Sequence, residues 1–341
     1  MILIDTIFIN NGGGKILLDY LYDVLGAIPK HKIIMLIDHR IKSEYSLKKD
    51  GDIEFIFLKG LTERNNFYKK NATKFNTILC FGNIPPNIRT DAKVYTYFHQ
   101  PMYLNIPKEF STLEKIKFKL KIFILNSYKN NTDFWLVQSL FIKDELQKKF
   151  KLPEKAVKKL PFYPPFKDEK TYQRIPNTFL YVSNANPHKN HFRLIDAFCQ
   201  YYNQQKKGEL TLTVNHTFPE VVKYIEKKVK EGYPINNIGF IYREDLYRYY
   251  HTHEYLIFPS LAESYGLGII EAIENGCKVL GADLPYMHEI CVPTLSFDPL
   301  QTNEIFKCLM KTGEADNLPF SKPKTRNQID ELIKLLTSNE N

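Results

Sequence analysis

Residues 259–289 read PSLAESYGLGIIEAIENGCKVLGADLPYMHE. An apolar strand, YLIFPS (255–260), runs into a loop, AESYGLG (262–268), and then into a helical pattern, IIEAIEN (269–275). A second strand, KVLGAD (278–283), follows. Short apolar strands joined through a helix are the unit of a buried parallel sheet, so this run predicts an α/β fold. Gly266 and Gly268 flank the turn, where glycine lets the backbone adopt positive φ and approach a ligand closely. The amides that open the next helix are a natural phosphate site. Glu263 precedes the turn and Glu271 lies about one helical turn beyond it. Carboxylates so placed can accept hydrogen bonds from pairs of hydroxyls.

The same alternation extends in both directions. Upstream lie FLYVSN (179–184), NHFRLIDAFCQYY (190–202), LTLTVN (210–215), PEVVKYIEKKVK (219–230) and NIGFIY (237–242), read as strand, helix, strand, helix and strand. The first half offers IDTIFI (4–9), KIIMLID (32–38), IEFIFL (53–58), TILCFG (77–82), KVYTYF (93–98) and FWLVQS (134–139) as strands, with KILLDYLYDVL (15–25) as a helix. Between the halves, FYPPFKDEKTYQRIPN (162–177) has three prolines and breaks the pattern, as a linker does. The expectation is two doubly wound, Rossmann-like domains, 1–165 and 166–341, the last helix being able to pack back on the first. Ligands of such sheets bind at the carboxyl ends of the strands, here in a cleft between facing domains.

A chain of 341 residues with 43% hydrophobic content supports two cores and excludes a disordered protein. No apolar run approaches the roughly 20 residues of a membrane span. The opening MILIDTIFIN carries an aspartate and no basic segment, so it reads as a strand rather than a signal peptide. Cysteines 80, 199, 277, 291 and 308 form no Cys-x-x-Cys pair, and their odd number fits reduced thiols in the cytoplasm. The net charge is 47 − 38 = +9. Residues 108–129 hold six lysines against two glutamates, and residues 141–159 seven lysines against three acids. Such a patch favours a polyanion or an anionic membrane surface.

Glu263 and Glu271, with seven residues between them, match the E-x7-E signature of retaining GT-B glycosyltransferases. The whole run resembles glycosyltransferase family 4, the glycosyl transferases group 1 domain. That family shows E-G-F-G-L-P-x-x-E-A and then G-x-P-V; here the text is E-S-Y-G-L-G-I-I-E-A and then G-C-K-V. Ser264 stands at a usual glycine and Gly268 at a usual proline, and neither change removes a charge. The resemblance implies a GT-B fold and a donor bound mainly by the second domain. It assigns Glu263 to the sugar hydroxyls and Glu271 to the ribose, with Ser264, Tyr265, Gly266 and Leu267 lining the donor.

The resemblance continues in YVSNANPHKN (181–190), where Lys189 matches a lysine that contacts donor phosphate. A lysine at a helix start is unfavourable without an anion, and it would offset charge on a departing diphosphate. Asn184 or a neighbour occupies the family's usual arginine position, and His188 is a further candidate. In GFIYREDL (239–246), Ile241, Tyr242 and Arg243 are placed to border the nucleobase by contact or stacking. In the first half, NGGGK (11–15) is a glycine-rich turn into a helix that can admit a phosphate or sugar close to the backbone, and the resemblance implies that Gly13 and Gly14 line the acceptor side and touch the donor phosphate. His99, in YFHQPMY (97–103), resembles the family's histidine beside the transferred sugar. Gln138 and Ser139 are expected on the cleft floor.

Together these features imply a retaining transferase that moves a sugar from a UDP- or GDP-linked donor to a glycan or lipid-linked oligosaccharide. The setting implied is bacterial surface polysaccharide: O-antigen, capsule or lipopolysaccharide. No Asp-x-Asp pair stands in a suitable place, so no metal and no cofactor are expected. Within 110–124, Phe110, Leu113, Ile116, Leu120 and Ile124 recur at helical spacing among lysines. That stripe either packs the helix on the sheet or lies on anionic lipid, making the protein peripheral on the inner face of the plasma membrane. RNP-like aromatic spacing is absent, which argues against nucleic acid. Two other readings remain: a sugar-nucleotide epimerase or phosphorylase of the same architecture, and a non-enzymatic lysine-rich module that binds membrane or nucleic acid.

Overall fold

The structure, a computed structural model, describes residues 1–28, 31–48, 53–107, 110–166, 172–313 and 318–338. The chain divides into two compact units, one of residues 1–164 with 326–341 and one of residues 165–325.

In the first unit the strands are β1 (Ile2–Asp5), β2 (Ile33–Asp38), β3 (Ile53–Leu58), β4 (Thr77–Cys80), β5 (Lys93–Phe98), β6 (Phe134–Val137) and β7 (Val157–Lys159). The helices are α1 (Gly12–Gly26), α2 (Lys42–Tyr45), α3 (Gly60–Asn71), α4 (Thr112–Tyr128) and α5 (Leu140–Phe150). All strand pairs are parallel, in the order β3-β2-β1-β4-β5-β6-β7. The chain therefore winds one way from β1 to β3 and the other way from β4 to β7. Ligands of such sheets bind where the winding reverses, between β1 and β4.

β1 is shorter than the stretch 4–9 predicted. Phe8 has φ +81° and the Ile7 amide donates to Asp5 Oδ1, so the chain turns away after Asp5. That carboxylate has a second role. Asp5 Oδ2 accepts from Arg64 Nε at 2.6 Å and from the Tyr68 hydroxyl at 2.7 Å, both on α3, and all three residues are buried. Arg64 also donates to the carbonyls of Ile84 at 2.6 Å and Pro85 at 3.2 Å, which fixes the loop leaving β4.

α4 overturns the expectation that its stripe packs on the sheet. The side chains that join the core beside Phe98, Trp135 and Val137 are Phe118, Ile122 and Leu125. Leu113, Ile116 and Leu120 instead face solvent, at 69%, 57% and 60% exposure. Phe110 is buried against Phe118, with ring centroids 5.5 Å apart, so the aromatic cluster chooses the inward face.

The second unit holds β8 (Ile175–Tyr181), β9 (Glu209–Leu212), β10 (Ile235–Asn237), β11 (His253–Phe258), β12 (Lys278–Ala282), β13 (Cys291–Val292), β14 (Leu295–Phe297) and β15 (Lys322–Pro323). Its helices are α6 (His191–Gln205), α7 (Pro219–Lys230), α8 (Arg243–Thr252), α9 (Leu267–Glu274), α10 (Pro285–Ile290) and α11 (Thr302–Lys311). The order is β10-β9-β8-β11-β12-β14, again all parallel, with β13 and β15 as a separate antiparallel pair. Its reversal point lies between β8 and β11. The strand expected at NIGFIY stops at Asn237. The Asn237 side chain takes the Val214 amide and donates to the Val214 carbonyl, and Gly239 follows at φ +71°. The chain then returns to the first unit with α12 (Ile329–Thr337), anchored where the Gln328 amide donates to the Pro161 carbonyl. All five cysteines are buried thiols.

Candidate active site

In the second unit, the loops that leave β8 and β11 lie side by side at the reversal point and are stitched together. The Leu261 amide donates to the His188 carbonyl at 2.8 Å, and Asn190 Nδ2 donates to the Pro259 carbonyl at 3.2 Å. Asn190 itself sits at φ +64°, a left-handed conformation that asparagine tolerates. This stitching carries Lys189 to Glu263, with Nζ 2.5 Å from Oε1 and both side chains largely buried. Two residues assigned to the donor on separate grounds are thus in direct contact.

Gly266 caps α9 at φ +70°, and a Cβ there would lie 2.8 Å from Ile269 Cδ1. The left-handed backbone is what favours glycine there. The helix starts with no side-chain cap, so the Leu267 and Gly268 amides have no partner within the helix. Gly268 is closely fitted as well: a Cβ would meet the Tyr250 hydroxyl at 3.2 Å. That hydroxyl donates to Glu271 Oε2 at 3.1 Å, and Arg243 Nε donates to Oε1 at 2.7 Å. Burial first, and then the Glu271 charge, push the Tyr250 phenol well above its ordinary range, so it stays a donor. Glu271 is only 5% exposed, and each of its oxygens keeps a second lone pair for a hydroxyl. Arg243, expected beside a base, lies over the Phe166 ring, 4.4 Å from its centroid, and restrains Glu271. Asn190 closes the YVSNANPHKN stretch quoted for the resemblance, whereas Tyr250 carries no motif of its own; their contacts mark both as positioning residues.

Other candidates are placed differently. Tyr242 is exposed and meets Phe240 edge to face at 5.2 Å. Asn184 is exposed, its Oδ1 taken by Asn186 Nδ2. Ser264 and Leu267 are half-buried on the loop. Tyr265 and His188 are turned inward; the Tyr265 hydroxyl reaches Thr325 Oγ1 at 3.1 Å, which leaves its backbone for any ligand.

In the first unit, Gly14 and His99 come together across 85 positions of sequence. A Cβ on Gly14 would stand 3.0 Å from His99 Cε1, while Gly13 is exposed. The His99 ring stacks on Phe81, its Nε2 lies 3.0 Å from the Phe81 carbonyl, and its amide donates to Asn83 Oδ1 at 2.7 Å. A carbonyl partner requires a proton on Nε2, so Nδ1 is the acceptor of the neutral ring. Burial lowers the His99 pKa to about 4. The Ser139 hydroxyl caps α5, and Gln138 is buried at the end of β6.

His191, at the start of α6, is 2% exposed, and its ring nitrogens have no hydrogen-bond partner among the described residues. Burial, then the Lys189 charge, lower its pKa to about 3. The unfolded value is about 6.5. The unfolded chain therefore binds more protons over this window, and the stability of the neutral form is lost as pH falls from about 6.5 toward 3. His191→Leu is expected to move the midpoint of acid unfolding, followed by circular dichroism, to lower pH. An unchanged midpoint would remove this residue as an acid-sensitive element.

Residues 166–295 match the family described as glycosyl transferases group 1. No curated protein matches the sequence. Among solved structures, Anabaena Alr3699/HepE in complex with UDP and glucose is 12% identical, with a TM-score of 0.65 over 98% of this chain and 95% of its own. Sucrose-phosphate synthase from Thermosynechococcus elongatus is 14% identical, with a TM-score of 0.70 over 92% and 89%. WaaG, a glycosyltransferase involved in lipopolysaccharide biosynthesis, is 14% identical, with a TM-score of 0.68 over 99% and 100%. At these identities the likeness is one of fold, and that fold is GT-B.

Proposed function

We propose that this chain, a glycosyltransferase whose residues 166–295 form a glycosyl transferases group 1 domain, moves a sugar from a nucleoside-diphosphate donor to a hydroxyl on a glycan or lipid-linked acceptor. Transfer retains the anomeric configuration, as family 4 chemistry does. The non-enzymatic reading is set aside by the domain. The observation that carries the proposal is the Lys189–Glu263 pair, 2.5 Å apart, on the loops at the reversal point of the sheet.

On donor binding, Lys189 turns from Glu263 to the diphosphate, and the first amides of α9 share the charge. Glu263 then accepts from hydroxyls of the sugar. Glu271, steadied by Arg243 and Tyr250, accepts from the ribose. In the first unit, the neutral His99 offers Nδ1 to an acceptor hydroxyl beside Gly14. The acceptor attacks on the face from which the phosphate departs, and no carboxylate forms a covalent intermediate, unlike retaining glycosidases. The lysine and the amides neutralise the diphosphate without a metal ion.

UDP is the first donor base to test, because the HepE structures were obtained with UDP, with UDP and glucose, and with UDP-glucose. The likeness to WaaG favours a surface polysaccharide setting. A thermal-shift panel of UDP, GDP, uridine and nucleotide sugars tests the site. Ligand at 100 times its Kd stabilises by about 2.7 kcal/mol. Glu271→Ala is expected to weaken UDP and uridine alike. Lys189→Ala should weaken UDP by about tenfold or more and leave uridine nearly unchanged. A panel in which no nucleoside diphosphate or nucleotide sugar shifts the melting temperature would sink the proposal.

A further inference from the structure

α4 has two apolar faces and one partner. At about 100° per residue, Phe118, Ile122 and Leu125 occupy an arc of about 60°, and Leu113, Ile116, Leu120 and Phe123 an arc of about 80° on the opposite side. The first set is in the core. The second is 69%, 57%, 60% and 67% exposed. Four large apolar side chains in one row on a single helix are more than the scattered exposure normal for a protein surface. Leu140 and Phe141 are also exposed, but only as a pair at the start of α5.

The charges along α4 select the partner. Lys117 and Lys121 line one seam between the two faces, and Lys115 and Lys119 line the other. No acid occurs from Lys115 to Tyr128. The one acid of the first turn, Glu114, is engaged in a capping box with Ser111. Arg40 and Lys117 both lie close enough to Lys121 for their charges to act on its ammonium, so this seam concentrates positive charge that an anionic surface would relieve. Lysines beside an apolar row can extend their ammonium groups to phosphate while their stems follow the chains inward. No described helix is long and apolar enough to cross a membrane.

We propose that the outer face of α4 is a membrane-docking surface, in which Leu113, Ile116, Leu120 and Phe123 enter the headgroup–acyl boundary of an anionic bilayer and the flanking lysines bind its phosphates. This inference stands independently of the donor-site reading. The test uses the full chain and sedimentation with vesicles of phosphatidylcholine alone or with about one-third phosphatidylglycerol. The wild type should bind the mixed vesicles, less tightly as salt rises. Leu120→Gln/Phe123→Gln should lose about tenfold or more in affinity. Lys117→Gln/Lys119→Gln/Lys121→Gln should lose the preference for phosphatidylglycerol. All these side chains are exposed, and an unchanged circular dichroism spectrum and melting temperature in each variant would show that the fold is intact. The proposal is overturned if the wild type ignores mixed vesicles, or if the apolar double variant binds them equally well. It is also overturned if the wild type is a dimer that the double variant converts to monomer, since a second copy would then be the occupant.

Discussion

Arg64→Met is expected to destabilise the first unit by about 3–5 kcal/mol, a large part of the stability of a domain. Arg64 and Asp5 are each 1% exposed and lie 2.6 Å apart. Without the guanidinium, the Asp5 carboxylate keeps the Tyr68 hydroxyl and the Ile7 amide but loses its counter-charge. The Ile84 and Pro85 carbonyls lose their donor at the same step. Tyr68 cannot take over, because a phenol carries no positive charge and its one proton already goes to Asp5. Urea unfolding should show the loss as a lower midpoint. The double variant Asp5→Leu/Arg64→Met should recover most of it, since removing both charges leaves no uncompensated ion. A single variant within about 1 kcal/mol of wild type would show that water reaches the pair. The consequence extends to the site, because the segment that Arg64 clamps follows directly on Asn83, the residue that holds the His99 backbone.

Glu263→Gln should lower turnover by about 10²–10³-fold while leaving UDP affinity equal or tighter. The two directions separate two roles. In the free protein the glutamate competes with the diphosphate for Lys189, so its neutralisation frees the lysine. In the working complex it grips sugar hydroxyls, and an amide grips them less well. Turnover is read as UDP released from the nucleotide sugar that the panel selects, and affinity is read by titration. Unchanged turnover would reduce Glu263 to a tether for Lys189. A loss in affinity alone would assign it to ground-state binding.

Much of this architecture was legible in the linear text. Period-two and period-3.6 patterns are local, so α7 and the cores of β2, β3 and β5 could be read directly. The glutamates at 263 and 271 stood out because their strand–loop–helix setting is also local. The boundaries that moved were governed by side chains reaching back to the backbone: Asp5 ended β1 early, and Asn237 ended β10.

By itself, then, the sequence determined two α/β halves, a glycine-capped helix start and the two acids around it, since each depends on residues a turn or a loop apart. Only the tertiary structure decided that Lys189 meets Glu263 across 74 positions, that Arg243 and Tyr250 hold Glu271, and that His99 rests against Gly14. It also decided which apolar side of α4 the sheet would cover. Periodicity picked out one stripe of this helix, but the shape of the neighbouring core, here the Phe98–Tyr103–Phe118 aromatic cluster, selects the opposite side as the one to bury.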